Sequence, residues 1–375
     1  MAEMHRLSAN QLHVNEALPW DVMDASGQLL LRKGYVIQKD EQIERILERG
    51  MYVDAEVYKA YIGADAGPAK HAYDPIAVWH AVQAANWTLM VTPPTDGSFA
   101  NAVQGNVKLV MGLCERHPDL VLAAIQLKEY KRYPAAHSLH VAALCEMIAR
   151  RGDFDEESRM SLCCAALTQN IAMADAQQLL FHQKIPLNED QRKLIHDHPM
   201  NGARLLQSLG VEDKEWLRAV LEHHEDEAGS GYPRKVRNPS MLASLIHTAD
   251  SYAAMLSKRA FRKAMTAAEA AKQLYLALGQ GKECPFPGLL IKELGMFPPG
   301  SIVKLANGEV GVVWRRGAQS ATPLVAALIN AKGLAQMNPV KRDTAAAPEF
   351  KVVATLPRES TMLNINFDQL WRPRN

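Results

Sequence analysis

The segment His223-His224-Glu225-Asp226-Glu227-Ala228-Gly229-Ser230-Gly231-Tyr232-Pro233 decides the reading of this chain, because it runs paired imidazoles into a turn framed by two glycines. Adjacent histidines would lie about 100 degrees apart on a helix, so both face one site most easily where a helix ends. The Gly229-Ser230-Gly231 that follows is expected to supply that end. A lone histidine in an apolar helix is usually a packing residue, but a His-His pair that enters Gly-x-Gly-Tyr-Pro is a far more specific pattern.

Other segments share the character of this one. Upstream stand Ala136-His137-Ser138-Leu139-His140-Val141 and His198-Pro199-Met200-Asn201-Gly202-Ala203, and downstream Ala249-Asp250-Ser251-Tyr252, followed by Lys258-Arg259-Ala260-Phe261-Arg262-Lys263. Together these resemble the HD-GYP phosphodiesterases, most closely from Tyr130 to Ala264. The resemblance implies a mainly α fold, in which a helical HD-domain core is flanked by a small N-terminal α+β domain and a C-terminal extension containing a β-hairpin. It also implies metal ligands at His137, His198, His223, His224 and Asp250, a pocket for cyclic di-GMP walled by Tyr232, and phosphate contacts from Arg259 and Arg262. The two arginines, three positions apart, share one helix face, where guanidinium groups can grip phosphate oxygens; pairing with surface carboxylates is the alternative.

One segment departs from the pattern. Leu167-Thr168-Gln169-Asn170-Ile171-Ala172-Met173-Ala174 occupies the place of the family's Leu-Leu-His-Asp-Ile-Gly-Lys-Ile, so Gln169, Asn170 and Met173 replace a histidine, an aspartate and a lysine. Tyr133 stands where the family tends to carry a glutamate ligand, and Ala228 and Ala253 replace further acidic residues. A two-metal phosphodiester hydrolase needs cations about 3.5 to 4 Å apart, bridged by a carboxylate and clamping the phosphate. Asparagine is nearly isosteric with aspartate but neutral, glutamine offers no imidazole nitrogen, and a thioether is a poor ligand for a hard cation.

Two outcomes remain open for the metal. His198, His223 and His224 could hold one divalent ion (iron, manganese or zinc), since three histidines plus water make a mononuclear site. Alternatively they persist as hydrogen-bonded pocket residues without metal. Three functions follow: a module that senses cyclic di-GMP or docks on a signalling partner such as a diguanylate cyclase, a slow metal-dependent phosphodiesterase, or a scaffold without ligand.

Composition sets the frame. With 375 residues, 48% of them hydrophobic, the chain can bury a sizeable core, and its length suits two or three domains. A net charge of +1 gives no general drive towards nucleic acid or anionic membranes. Cys114, Cys145, Cys163, Cys164 and Cys284 form no Cys-x-x-Cys pattern and read as buried thiols in a reducing compartment. The N-terminus lacks a basic-then-apolar signal region and no long apolar run occurs, so a cytoplasmic protein without a membrane span is expected.

Three parts are expected along the chain: residues 1–74, 75–283 and 284–375. The first contains two strands around Ser26-Gly27 and a helix from Lys39 to Arg49, ended by Gly50; Gly63 to Pro68 reads as a linker. In the second, apolar periodicity predicts helices over Val103 to Cys114, His137 to Ala149 and Ser161 to Ala174, with Asp155-Glu156-Glu157 at the start of the last. In the third, Ser301 to Trp314 alternates around Asn307-Gly308, a hairpin signal. His13, His71, His80, His117, His182, His196 and His247 lack motif context and are set aside as structural or exposed.

Overall fold

The structure is a computed structural model that describes residues 4–6, 18, 20–24, 26–37, 52–55, 57, 73–127, 132–258, 263–278, 284–358 and 365–372. It divides into two compact units, residues 1–73 with Asn375, and residues 74–374. In the first, β1 (Met4–Arg6), β2 (Val22–Met23), β3 (Leu29–Leu31) and β4 (Tyr52–Asp54) form an antiparallel sheet in the order β1-β4-β2-β3. The two strands anticipated around Ser26-Gly27 are β2 and β3. Asp24 closes their turn by accepting from the backbone nitrogens of Ser26 and Gln28 at 2.8 and 2.9 Å. The helix anticipated from Lys39 to Arg49 and the linker at Gly63 to Pro68 lie outside the described residues.

The second unit is built on helices. They are α1 (Pro75–Val91), α2 (Phe99–Arg116), α3 (Pro118–Leu127), α4 (Tyr133–Arg151), α5 (Glu156–Thr168), α6 (Ala174–His182), α7 (Glu189–Ser208), α8 (Lys214–Glu222), α9 (Met241–Leu256), α10 (Ala267–Leu278) and α11 (Phe286–Leu294). The central element is α4, in which every side chain from Tyr133 to Ala149 is buried. A helix apolar on all sides belongs in a core, and its alanines and Cys145 leave room for α1, α2, α5 and α9 to pack against it. Glu146 is the charged exception: it pairs with Arg159 of α5 and lies 4.0 Å from Arg150. Burial pushes its carboxyl up to about 7 against the pull of the two arginines.

Two expectations are corrected by helix ends. The helix expected from Ser161 to Ala174 stops at Thr168; Gln169 and Asn170 form the break, a 3-10 turn covers Ile171–Met173, and α6 begins at Ala174. The break aims the side chains of Gln169 and Asn170 at the site, whereas a continuous helix would spread these positions around its surface. Likewise α8 ends at Glu222 with His223 as its cap, six residues before Gly229. Asp155 caps α5 by accepting from the Ser158 nitrogen at 2.8 Å, as its position suggests.

The hairpin read around Asn307-Gly308 is β5 (Ile302–Leu305) with β6 (Val310–Arg315), Gly308 supplying the positive φ of +91°. It belongs to a five-stranded antiparallel sheet completed by β7 (Leu324–Ile329), β8 (Ala335–Asp343) and β9 (Val352–Leu356), in the order β8-β7-β6-β5-β9. Val312, Ala326 and Leu328 of this sheet, with Trp371 of α12 (Phe367–Trp371), share one apolar core with Trp79, Leu139, Trp216 and Tyr252 of the helices. Polar fasteners reinforce the junction. Gln126 donates to the Pro299 carbonyl at 2.6 Å, and Arg316 reaches Asp119 at 2.6 Å and Glu293 at 2.8 Å. The extension is therefore part of the same compact unit as the helices. Among the described residues all five cysteines are free, four buried and Cys284 half-buried, and no helix is long and apolar enough to cross a membrane.

Candidate metal and ligand site

The site is assembled where regular backbone hydrogen bonding fails. Asn188 and Gln191 form a capping box that starts α7, which carries Pro199 in its interior. Proline has no N–H, so the carbonyl four residues earlier, that of Ile195, loses its helical partner. The His198 Nδ1 lies 2.6 Å from that oxygen. A carbonyl only accepts, so Nδ1 carries the proton and the Nε2 lone pair is left for the site. His223 repeats the device at the end of α8, where the last carbonyls have no helical partners: its Nδ1 donates to the Val220 oxygen at 2.7 Å.

The two Nε2 atoms then face each other at 3.1 Å. Two neutral imidazoles so fixed present lone pair to lone pair, an arrangement that needs a cation or a shared proton between them. Burial, reinforced for His198 by His223, lowers the His198 ring to about 3, and burial lowers His223 to about 4, so both are neutral near pH 7. Nitrogen atoms of His198, His223 and His224 all lie within 4.8 Å of one another. Neutral imidazoles with converging lone pairs are the donor set a divalent transition metal takes, so the residues present fit one such ion.

The other two expected ligands are arranged differently. Asp250 Oδ1 accepts from His137 Nε2 at 2.7 Å and from Gln169 Nε2 at 2.8 Å. With its Nε2 proton committed, His137 turns Nδ1 towards the Tyr133 hydroxyl at 3.4 Å, so the structure brings His137 and Asp250 together as a hydrogen-bonded pair. Burial opposes ionisation of Asp250, but the surrounding imidazoles, His137 foremost and then His224 and His223, together hold the carboxyl well below the usual carboxylate range. Gln169 and Asn170 are buried, and the amide oxygen of each has no partner among the described residues. Neutral amides there cannot balance a second divalent cation, so the chain's residues do not fit a bridged pair.

The Gly-Tyr-Pro loop folds back over the histidines. A Cβ on Gly231 would meet the His224 carbonyl at 2.4 Å, so only glycine permits the approach that lets Tyr232 N donate to that oxygen at 3.1 Å. The Tyr232 ring stacks on His224 at 4.6 Å and on His196 at 5.6 Å. Glu225 holds the loop by accepting from the Arg234 and Val236 nitrogens at 2.7 and 2.9 Å. Its place two residues after His223 gave no hint of this, because the donors lie beyond the loop. Two histidines set aside on sequence grounds also enter here: His196 as the outer face of that stack, and His247 through its Nδ1, 3.1 Å from the His223 carbonyl.

A cavity of about 510 Å³ opens beside these groups, lined by His198, His224, Asp250, Asn170, Met173 and Tyr232 among others. Arg259 and Arg262 lie outside the described residues.

Residues 115–281 match the HD domain family. Among curated proteins, the chain is 28% identical over 260 residues to a cyclic di-GMP phosphodiesterase of Pseudomonas aeruginosa, a match covering 68% of this chain and 62% of that one. It is 30% identical over 135 residues to a 3'3'-cGAMP-specific phosphodiesterase of Vibrio cholerae, covering 36% of this chain and 29% of the other. The chain thus spans less than two thirds of the length of these relatives. Among solved structures, an HDG"Y"P protein from Bdellovibrio bacteriovorus superposes with a TM-score of 0.55 at 17% identity, covering 78% of this chain and 98% of that one.

Proposed function

We propose that this chain is an HD-GYP-type signalling protein that takes cyclic di-GMP in the cavity beside its three histidines and hydrolyses it negligibly. The observation that carries the reading is the fate of Asp250. Its Oδ1 is engaged by His137 and by the Gln169 amide, and Asn170 contributes a neutral amide where a bridging carboxylate is required. One divalent ion on His198, His223 and His224 would supply positive charge for a phosphate oxygen. Tyr232 forms the wall over the histidines, and Arg259 and Arg262 are the proposed phosphate anchors. The names of the curated relatives support the choice of ligand, and cGAMP is its close competitor.

The test pairs calorimetric titration of the full chain with a turnover assay, both with the dinucleotide and both in metal-free form and after anaerobic loading with ferrous iron or manganese. Binding without appreciable turnover is expected. Turnover at the rate of an intact two-metal relative would overturn the impairment. A lack of binding in every form would overturn the ligand and leave docking on a partner such as a diguanylate cyclase as the reading.

A further inference from the structure

One wall of the cavity is unused by the groups described so far. It is made by the end of α6 and the loop into α7, where Leu180, Phe181, Ile185, Pro186 and Leu187 present apolar surface and Lys184 stands among them. Lys184 is the only lysine or arginine among the described residues that line the cavity, and its side chain has no hydrogen bond or ion pair among them. The loop carrying it is fixed by its neighbour. Gln183 Nε2 donates to the Ile185 and Pro186 carbonyls at 3.0 and 3.3 Å. The Gln183 and Gln191 side-chain amides also exchange hydrogen bonds at 3.1 and 2.8 Å, which ties the loop to the capping box of α7.

Position 173 lines the same cavity but carries a thioether. Among the described lining residues Asp250 is the only carboxylate and Lys184 the only lysine or arginine. An anion entering this space meets an acceptor-rich floor and needs a cation with free donors. An ammonium on a flexible four-carbon stem supplies three.

We propose that Lys184 is a further phosphate-gripping cation of this cavity, beside the anchors proposed at Arg259 and Arg262, filling from the loop the role that Met173 cannot fill from the 3-10 turn. The adjoining apolar wall would cover the flat faces of a base, so cation and wall together suit an anionic phosphodiester with nucleobases attached. The inference rests on the reading that the cavity takes a cyclic dinucleotide.

The experiment is calorimetric titration of the full chain with cyclic di-GMP at about 0.05 M and about 0.5 M salt, where screening differs several-fold. Lys184→Met should weaken binding about tenfold at the lower salt, roughly the loss of one charge-assisted contact, and the gap to wild type should close at the higher. Lys184→Arg should keep most of the affinity, Met173→Lys should restore part of it in the Lys184→Met background, and Lys193→Met, on the solvent face of α7, should match wild type. Thermal melting of each variant separates a binding loss from misfolding. Lys184→Met titrating like wild type at low salt overturns this inference alone, whereas wild type that fails to bind at all overturns the dinucleotide reading and the inference with it.

Discussion

Substituting Asn170 by aspartate puts back the carboxylate that a bridged metal pair requires, and the structure sets what it should cost. Asn170 is 3% exposed, its Oδ1 has no partner among the described residues, and Asp250, already ionised, faces the same cavity. Without metal, a new carboxylate there is an uncompensated buried charge, a class of change that costs about 3–5 kcal/mol. Taking ~3 kcal/mol and about 2 °C per kcal/mol for a unit of this size, Asn170→Asp should melt roughly 6 °C below wild type in chelator. Asn170→Ala adds no charge and should not show that electrostatic loss. The double variant Gln169→His with Asn170→Asp should bind a second cation. Manganese at about a hundred times its dissociation constant then adds ~2.7 kcal/mol beyond the single-site gain of wild type. Melting curves in chelator and in manganese, with metal content by mass spectrometry, measure both effects. Should Asn170→Asp melt with wild type in chelator, and the double variant hold no more metal than wild type, the account of this floor as a neutralised second-metal site is refuted.

Three further outcomes are expected. Any bound metal should be lost on His223→Ala, which removes one of three converging ligands, and retained on His182→Ala; unchanged metal content in the first variant would show the ion to be elsewhere. Arg259→Ala or Arg262→Ala should each weaken cyclic di-GMP binding about tenfold, from loss of a charge-assisted contact worth roughly 1.5–3 kcal/mol, and tight binding indifferent to both would relocate the ligand. Because the folded Glu146 carboxyl is raised to about 7, the native state holds a proton that the unfolded chain releases from about pH 4.5 upward. The stability it contributes is full below that range and is lost as pH rises through about 7. Denaturant unfolding at about pH 5.5 and about pH 8 should show a fall on the order of 2 kcal/mol in wild type, absent in Glu146→Gln.

What the sequence could disclose was limited by distance along the chain. His198, His223 and His224 were legible because their placement depends on local devices, Pro199 beside one and a helix end beside the others. The engagement of Asp250 was not, since its partners Gln169 and His137 lie 81 and 113 positions away and only packing decides that an amide stands where an imidazole would. The same holds for Glu225, whose partners are backbone nitrogens and carry no side-chain signature. In the C-terminal part, Asn307-Gly308 announced one hairpin. The Leu324–Ile329 strand, apolar without alternation, and the mostly exposed Ala335–Asp343 strand gave no period to read.

The sheet that follows the helices has a consequence for how damage to this protein is to be interpreted. The family match ends at residue 281, yet Val312, Ala326, Leu328 and Trp371 close the same apolar interior as the helix that presents Asp250. Sheet and helices should therefore melt in a single calorimetric transition, and a fragment cut at the family boundary would leave that interior open to water. In a genetic screen for loss of function, alleles in the strands would then be indistinguishable by phenotype from alleles in the histidine pocket. They would act on abundance, and restoring protein level with a suppressor or a lower growth temperature would rescue the first kind and leave the second unchanged.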